Sequence, residues 1–443
     1  MPRTTAELLD ELFEFIRIPS ISSGDGTAED LRRAAEWVGD RIRDAGGAAE
    51  ILETAKNPLA VGTIRCGRDG APHILLYGHY DVQTVAPLDA WDSPPFAPEV
   101  RDDAIYARGA SDDKGNFHCL LAAVTDLARA GELQCDVTIV SDGEEEIGGD
   151  SVVRWLDARQ PDYDAAVVFD SSLVEPGRPL LTIGVRGVVT GHLRVTTGTH
   201  DVHSGLYGGA GLNAAHVLAT LIDGTRARDG LIPEVLRADV REPSPDEVAS
   251  WATLPSGERE LATAGIAPLD DRAVAEFYRR TFSLPTFDVN AITCRDASQH
   301  RTIIPYEASA AISLRLVPDQ QVETVWTALQ AHFERLAPAG ATIELERWGG
   351  SAGCAFDPSL PALVTARRVL AETFGHECAV ARSGGAIPFV SALHRHGVPT
   401  ILTGVALPTD NVHGPNEHLR LANYEAGVRA ARSLIQELAA LEP

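Results

Sequence analysis

The sequence predicts an α/β protein: a mostly parallel sheet flanked by helices, with a smaller ferredoxin-like α+β domain inserted into it. Three observations carry this. Short aliphatic runs alternate with helical periods over residues 59–169, and strands that are apolar throughout and separated by helices belong to a parallel sheet covered on both faces. Beyond residue 186 the period changes to strict apolar/polar alternation, which suits a sheet with one wet face. From residue 350 helix and strand alternate again. The expected domains are therefore 1–186 with 350–443, discontinuous in sequence, and an inserted 187–349.

Thr4 and Glu7 make a capping box ahead of Leu8, Leu9, Leu12, Phe13 and Ile16, and Pro19 stops that helix. A second helix over 27–45 is closed by Gly46-Gly47. Strands are expected over 59–66, 73–78, 137–140 and 165–169, with helices near 116–129 and 151–158. In the insert, 189–197, 311–317 and 343–347 alternate with period two, 287–293 is extended, and helices fall near 211–223 and 322–336. The order β-α-β-β-α-β is a split βαβ unit. A Pro/acid-rich stretch from Pro233 to Leu284 interrupts it and is expected to hold short helices.

Of 443 residues 44% are hydrophobic and 23% charged, an ordinary globular mix that excludes global disorder. The net charge of −25 repels phosphate backbones and anionic lipid, so neither nucleic acid nor a membrane surface is expected as a partner. Apolar runs such as 73–77 and 119–124 fall far short of the roughly 20 residues that span a bilayer. The N-terminus reads as an amphipathic helix, not a signal peptide. Six scattered cysteines with no CxxC pair point to a reducing cytoplasm.

Chemistry concentrates where strands end. His79 and Asp81 follow one strand, Asp112-Asp113 precede a helix, Glu144-Glu145-Glu146 follow a second strand, Asp170 follows a third, and His413 lies in Asn411-Val412-His413-Gly414-Pro415. Each has a bland reading alone: a solvated acidic loop, a helix cap, a structural histidine. Together, two histidines and at least three carboxylates, with Asp81 two residues from His79, form a metal-ligand inventory with its supporting acceptor. In an open parallel sheet, ligands collect at the carboxyl ends of strands. Nucleophile and phosphate motifs are missing by comparison: His203-Ser204-Gly205 is no GxSxG elbow, and the glycine runs lack the Gly-Lys-Ser/Thr ending of a P-loop.

The strings Gly78-His79-Tyr80-Asp81, Ser111-Asp112-Asp113-Lys114-Gly115, Glu145-Glu146-Ile147-Gly148, Asp201-Val202-His203-Ser204-Gly205 and His413-Gly414-Pro415-Asn416-Glu417 resemble the dinuclear zinc metallopeptidase and amidohydrolase family of carnosinases, carboxypeptidase G, aminoacylase and succinyl-diaminopimelate desuccinylase. The resemblance spans essentially the whole chain. It is nearest to the carnosinase-like dipeptidases, through His203 to Gly209 and Leu314-Arg315-Leu316-Val317-Pro318. It implies a zinc-peptidase-like catalytic domain and an inserted lid and dimerisation domain. Two divalent ions per chain are implied, zinc or else manganese or cobalt, with Asp112 bridging them. His79 and Asp170 would complete one site, Glu146 and His413 the other. Asp81 would accept from the far nitrogen of His79, the Asp112–Asp113 peptide would be cis, and Glu145 would be the general base for a metal-bridging hydroxide. Arg315 would grip the substrate carboxylate with Thr302 nearby, Gly384 and Gly385 would offer backbone groups to substrate, and His203 would act in trans within a homodimer. One departure is Ala386, where relatives often carry serine. The expected activity is hydrolysis of dipeptides or short peptides with a free C-terminus. An N-acyl-amino-acid deacylase is the alternative. Retention of both Glu145 and Glu146 argues against a non-catalytic metal- or peptide-binding protein.

Overall fold

In the computed structural model, which describes residues 3–296, 298 and 300–441, four strands lie parallel in the order Asp136–Asp142, His73–His79, Ala165–Phe169, Thr400–Thr403. Ala165–Phe169 is buried at every position, the reason its sequence is apolar without alternation, and Thr400–Thr403 is also wholly buried, its end threonines donating to the carbonyls of Val398 and Leu180. The edges run antiparallel: Leu59–Ile64 and then Ala48–Leu52 on one side, Leu180–Val185 on the other. Lys114–Arg129 packs on the strand His73–His79 and beneath Thr5–Ile16 and Leu421–Leu438, so nearly all of it is buried. Thr5–Ile16 starts with the Thr4/Glu7 capping box. His79 and Asp142 are paired in register at their strand ends, and Asp170 follows the neighbouring strand, so the three leave the sheet at one edge.

These elements, apart from the last two residues of Leu180–Val185, belong to the first of two compact units, formed by residues up to Ile183, Phe356–Ala381 and the chain from Ala392 onward. The second comprises Gly184–Ala355 and Arg382–Ser391. Its sheet is fully antiparallel, in the order Thr286–Thr293, Glu307–Leu316, Gly187–Thr196, Thr342–Ser351. Alternate residues Val189, Leu193, Val195, Ile312 and Leu314 face a core shared with Leu221 and Leu329 from the helices Ala214–Asp223 and Val322–Leu336. Each fully buried side chain of this size contributes about 1.5 to 3 kcal/mol. Gly191 is required there, because a Cβ would stand 2.4 Å from the Trp326 ring. The other face carries Val188, Thr190, Ser313 and Arg315. The Pro/acid-rich stretch holds the short helices Pro245–Trp251 and Gly257–Thr263, capped by Ser244 and Ser256. Among the described residues no helix is long and apolar enough to cross a membrane.

Candidate metal centre

Asp112 lies between two histidines. Its Oδ1 is 3.0 Å from His79 Nε2 and its Oδ2 is 3.0 Å from His413 Nε2, which also lies 3.2 Å from Glu146 Oε2. Potential ligand atoms fall into two groups, His79 with Asp113 and Asp170, and Asp112 with Glu146 and His413, each with its members within 4.8 Å of one another. His413 takes φ 63°, a left-handed backbone that costs a non-glycine residue about 1 kcal/mol or more. The Asp112–Asp113 peptide is cis.

Buried neighbours hold these side chains. His79 Nδ1 meets the carbonyl of Asp81 at 3.0 Å and its carboxylate at 3.4 Å, so both fix the imidazole and the carbonyl is nearer. Asp81 Oδ2 also accepts from the Glu146 backbone, and Gln83 donates to Glu146 Oε2. Glu144 anchors the acidic turn by accepting from Thr54, Asn57 and Ser151. Glu417 is wholly buried; it accepts from the backbone N–H groups of Gly109, Ser111 and Asp112 and pairs with Arg108 at 2.6 Å. Arg108 in turn donates to the Thr84 carbonyl. One carboxylate thus fixes the loop that carries Asp112 and ties it to the segment that carries His413.

The electrostatics suit cations. Bonds to Asp112 and Glu146 hold the His413 imidazole up at about 10. Burial works against a proton on His79, yet its bonds to Asp112 and Asp81 keep its pKa well above the usual range. Desolvation, with Asp112, Glu146 and Asp81 close by, pushes Asp170 up to about 7 against the pull of His79. Desolvation raises Glu145 as well, reinforced by Asp170, Glu146 and Asp112. Asp113 Oδ1 and Glu146 Oε1 are buried and accept no hydrogen bond. Buried acceptors without donors, in a field that draws protons onto both histidines, are what oxygen- and nitrogen-ligated divalent cations satisfy. The donor set fits two such ions.

The other residues singled out in the sequence lie in the second unit. His203 pairs with Ile303 in a short ladder, accepts from Gly205 N through Nδ1, and stands beside Thr302, whose carbonyl accepts from Ser204 N. Arg315 occupies the wet face of the sheet, opposite Val188. Gly384 and Gly385 lie in the segment that returns to this unit, where Arg186 donates to both carbonyls.

The family model for peptidase family M20/M25/M40 matches residues 75–437. The chain belongs to that family. This peptidase is 29% identical over 421 residues to the cysteinylglycine-S-conjugate dipeptidase of Corynebacterium striatum, covering 93% of this chain and 90% of the relative. It is 24% identical over 466 residues to the Cys-Gly metallodipeptidase of Saccharomyces cerevisiae, covering 97% and 95%. The structure of an M20 family metallo-carboxypeptidase from Sulfolobus solfataricus superposes with a TM-score of 0.89 at 26% identity, over 98% of this chain and 100% of that one.

Sequence reasoning about this M20/M25/M40 peptidase did not single out Glu417, Arg108, Glu144 or Asp113 as parts of the centre. In the sequence Glu417 shows only as the last residue of the His413 string, and Asp113 as a helix cap and as the second residue of the expected cis peptide. Replacing Glu417 by Gln leaves the Arg108 charge buried without its partner, which should cost about 3 to 5 kcal/mol. It should also weaken divalent-ion binding about 10- to 100-fold, as loss of a supporting partner does. Thermal melting of the metal-free protein and calorimetric titration with zinc measure the two effects. Unchanged affinity would show that the Asp112 loop holds itself.

Proposed function

We propose that this peptidase hydrolyses dipeptides or very short peptides with a free C-terminal carboxylate, using two divalent ions per chain. The observation that carries the reading is Asp112 presenting one oxygen to each of two histidine-containing clusters, with Glu145 beside them. His79, Asp112 and Asp170 would hold one ion and Asp112, Glu146 and His413 the other. Bound there, zinc, or manganese or cobalt, supplies Lewis acidity that polarises the scissile carbonyl and acidifies water. Glu145 belongs to neither group of ligand atoms, which leaves it free to take the proton of the attacking water and pass it to the leaving amine. Asp81 keeps His79 in one tautomer so that Nε2 faces the ligand side.

Recognition falls to the second unit, read as lid and dimerisation domain. Arg315 receives the substrate carboxylate in a charge-assisted pair, Thr302 bonds beside it, and Gly384 and Gly385 offer backbone groups. Ala386 leaves that segment without the hydroxyl that many relatives have. Two relatives named for cysteinylglycine substrates favour dipeptides over N-acyl amino acids. A panel of dipeptides beside N-acetyl and N-succinyl amino acids tests this; turnover of the acylated amino acids alone would make the chain a deacylase. Free cysteines support a reducing, cytoplasmic location. A homodimer through this unit is supported by its open edge strand Thr286–Thr293, where exposed Ile292 and helix residues Leu218 and Ile222 line an apolar groove, and by exposed Leu206 and Tyr207 next to His203.

Glu145→Gln should retain its metal content while kcat falls by about 10² to 10⁴, the usual worth of a general base. Elemental analysis beside steady-state kinetics decides it, and near-normal turnover would move the base elsewhere.

His203 is expected to complete the partner subunit's centre. His203→Ala and Glu145→Gln homodimers should both be nearly inactive. After verified subunit exchange half the dimers are hybrid with one intact site, restoring about a quarter of wild-type activity. Activity that stays at parental level would confine His203 to its own chain.

A further inference from the structure

Two arginines of the second unit, Arg186 and Arg315, stand close together. Arg315 is paired across the sheet with Val188 on one side and Thr286 on the other. Arg186 lies two residues before Val188, just ahead of the strand Gly187–Thr196, and its Nη1 reaches the carbonyl of Leu284, two residues before Thr286, so it adjoins both cross-strand partners of Arg315. Among the described residues neither guanidinium forms an ion pair. Asp288 is the carboxylate that acts on Arg186 from a distance, and its side chain accepts from Thr286 Oγ1 at 3.1 Å. Arg186 is only 8% exposed; burial, with repulsion from Arg315, pushes its guanidinium down to about 10.

The place of Arg186 is specific. Its Nε donates to the Gly384 carbonyl at 3.0 Å, its Nη1 to the Leu284 carbonyl at 3.3 Å, and its backbone N–H to the Gly385 carbonyl at 2.9 Å. A Cβ on Gly384 would come within 3.2 Å of Arg186 Nη2 and of the Thr281 carbonyl. The guanidinium therefore lies directly against the Gly384–Gly385 turn. A neutral amide could bond such carbonyls without the desolvation cost of a buried charge. Two like charges held together, one of them buried, have a physical rationale if an anion joins them.

We infer that Arg186 is the second cation of the substrate-carboxylate subsite. It holds the Gly384–Gly385 turn in place and, with Arg315, makes this part of the unit demand a carboxylate. The inference rests on the reading of Arg315 as the carboxylate clamp, and the test separates the two.

The measurement is the ratio of kcat/KM for a dipeptide to that for its C-terminal amide, in the wild type, Arg315→Ala, Arg186→Met and Arg186→Lys. Losing a charge-assisted partner should lower the ratio about tenfold or more in Arg315→Ala and in Arg186→Met, mainly through KM. Arg186→Lys keeps the charge but not the paired carbonyl bonds. It should keep the ratio while losing activity on both substrates. An equal loss on acid and amide in Arg186→Met, with Arg315→Ala still collapsing the ratio, would make Arg186 a scaffold and overturn this inference alone. A ratio untouched by Arg315→Ala would overturn the clamp and this inference together. If Arg186→Met does not fold, Arg186→Gln makes the same comparison, since it removes the charge and keeps a donor.

Discussion

The two oxygens of Asp112 point at two different imidazoles, and the rest of the first unit is arranged to keep them there. A carboxylate shared in this way has its orientation fixed by more than its own rotamer. Glu417 binds the backbone N–H of Asp112 and of the residues just before it, and Arg108 neutralises Glu417 in turn. The strand ends deliver His79 and Asp170 to the same edge of the sheet, while the turn anchored by Glu144 delivers Glu145 and Glu146. Positions set by a rigid sheet and by buried ion-pair chemistry are the kind of preorganisation that lets charge stabilise a reaction without rearranging first.

The residues read as site residues are spread over both units, His203 lying in the second. The seven residues read as metal ligands, their acceptor and the base all belong to the first, and the residues read as substrate contacts belong to the second. The return of Arg382–Ser391 to the second unit follows from contacts made within it: Arg382 pairs with Glu247 of the helix Pro245–Trp251, and Arg186 bonds the carbonyls of Gly384 and Gly385. The acidic insertion thus bears on the same glycine turn that is proposed to offer backbone groups to substrate.

Much of this was legible in the chain. His79, Glu146 and Asp170 follow the ends of parallel strands, so that topology gathers them; Asp112 and His413 flank the small antiparallel sheet of Glu99–Arg101, Ala104–Tyr106 and His418–Arg420 and are joined through Glu417. The split βαβ order of the second unit followed from period-two alternation, which a half-wet antiparallel sheet imposes. What escaped has a common physical cause. Ala48–Leu52 is a short edge strand in which no residue is buried, held by pairing to Leu59–Ile64 rather than by a buried face of its own. Glu417, Glu144 and Arg186 act through contacts with residues tens to hundreds of positions away, and no local spacing announces such partners. Arg186 looked like a boundary residue because it is the one unpaired position between two strands.

Asp112 is proposed to serve two cations at once. Elemental analysis of freshly purified, fully active protein, alongside Asp112→Asn, tests it most directly. Two divalent ions per active chain are expected, with loss of both in the variant. A fully active wild type with one ion or none, or an Asp112→Asn protein that keeps both at full occupancy, would contradict it.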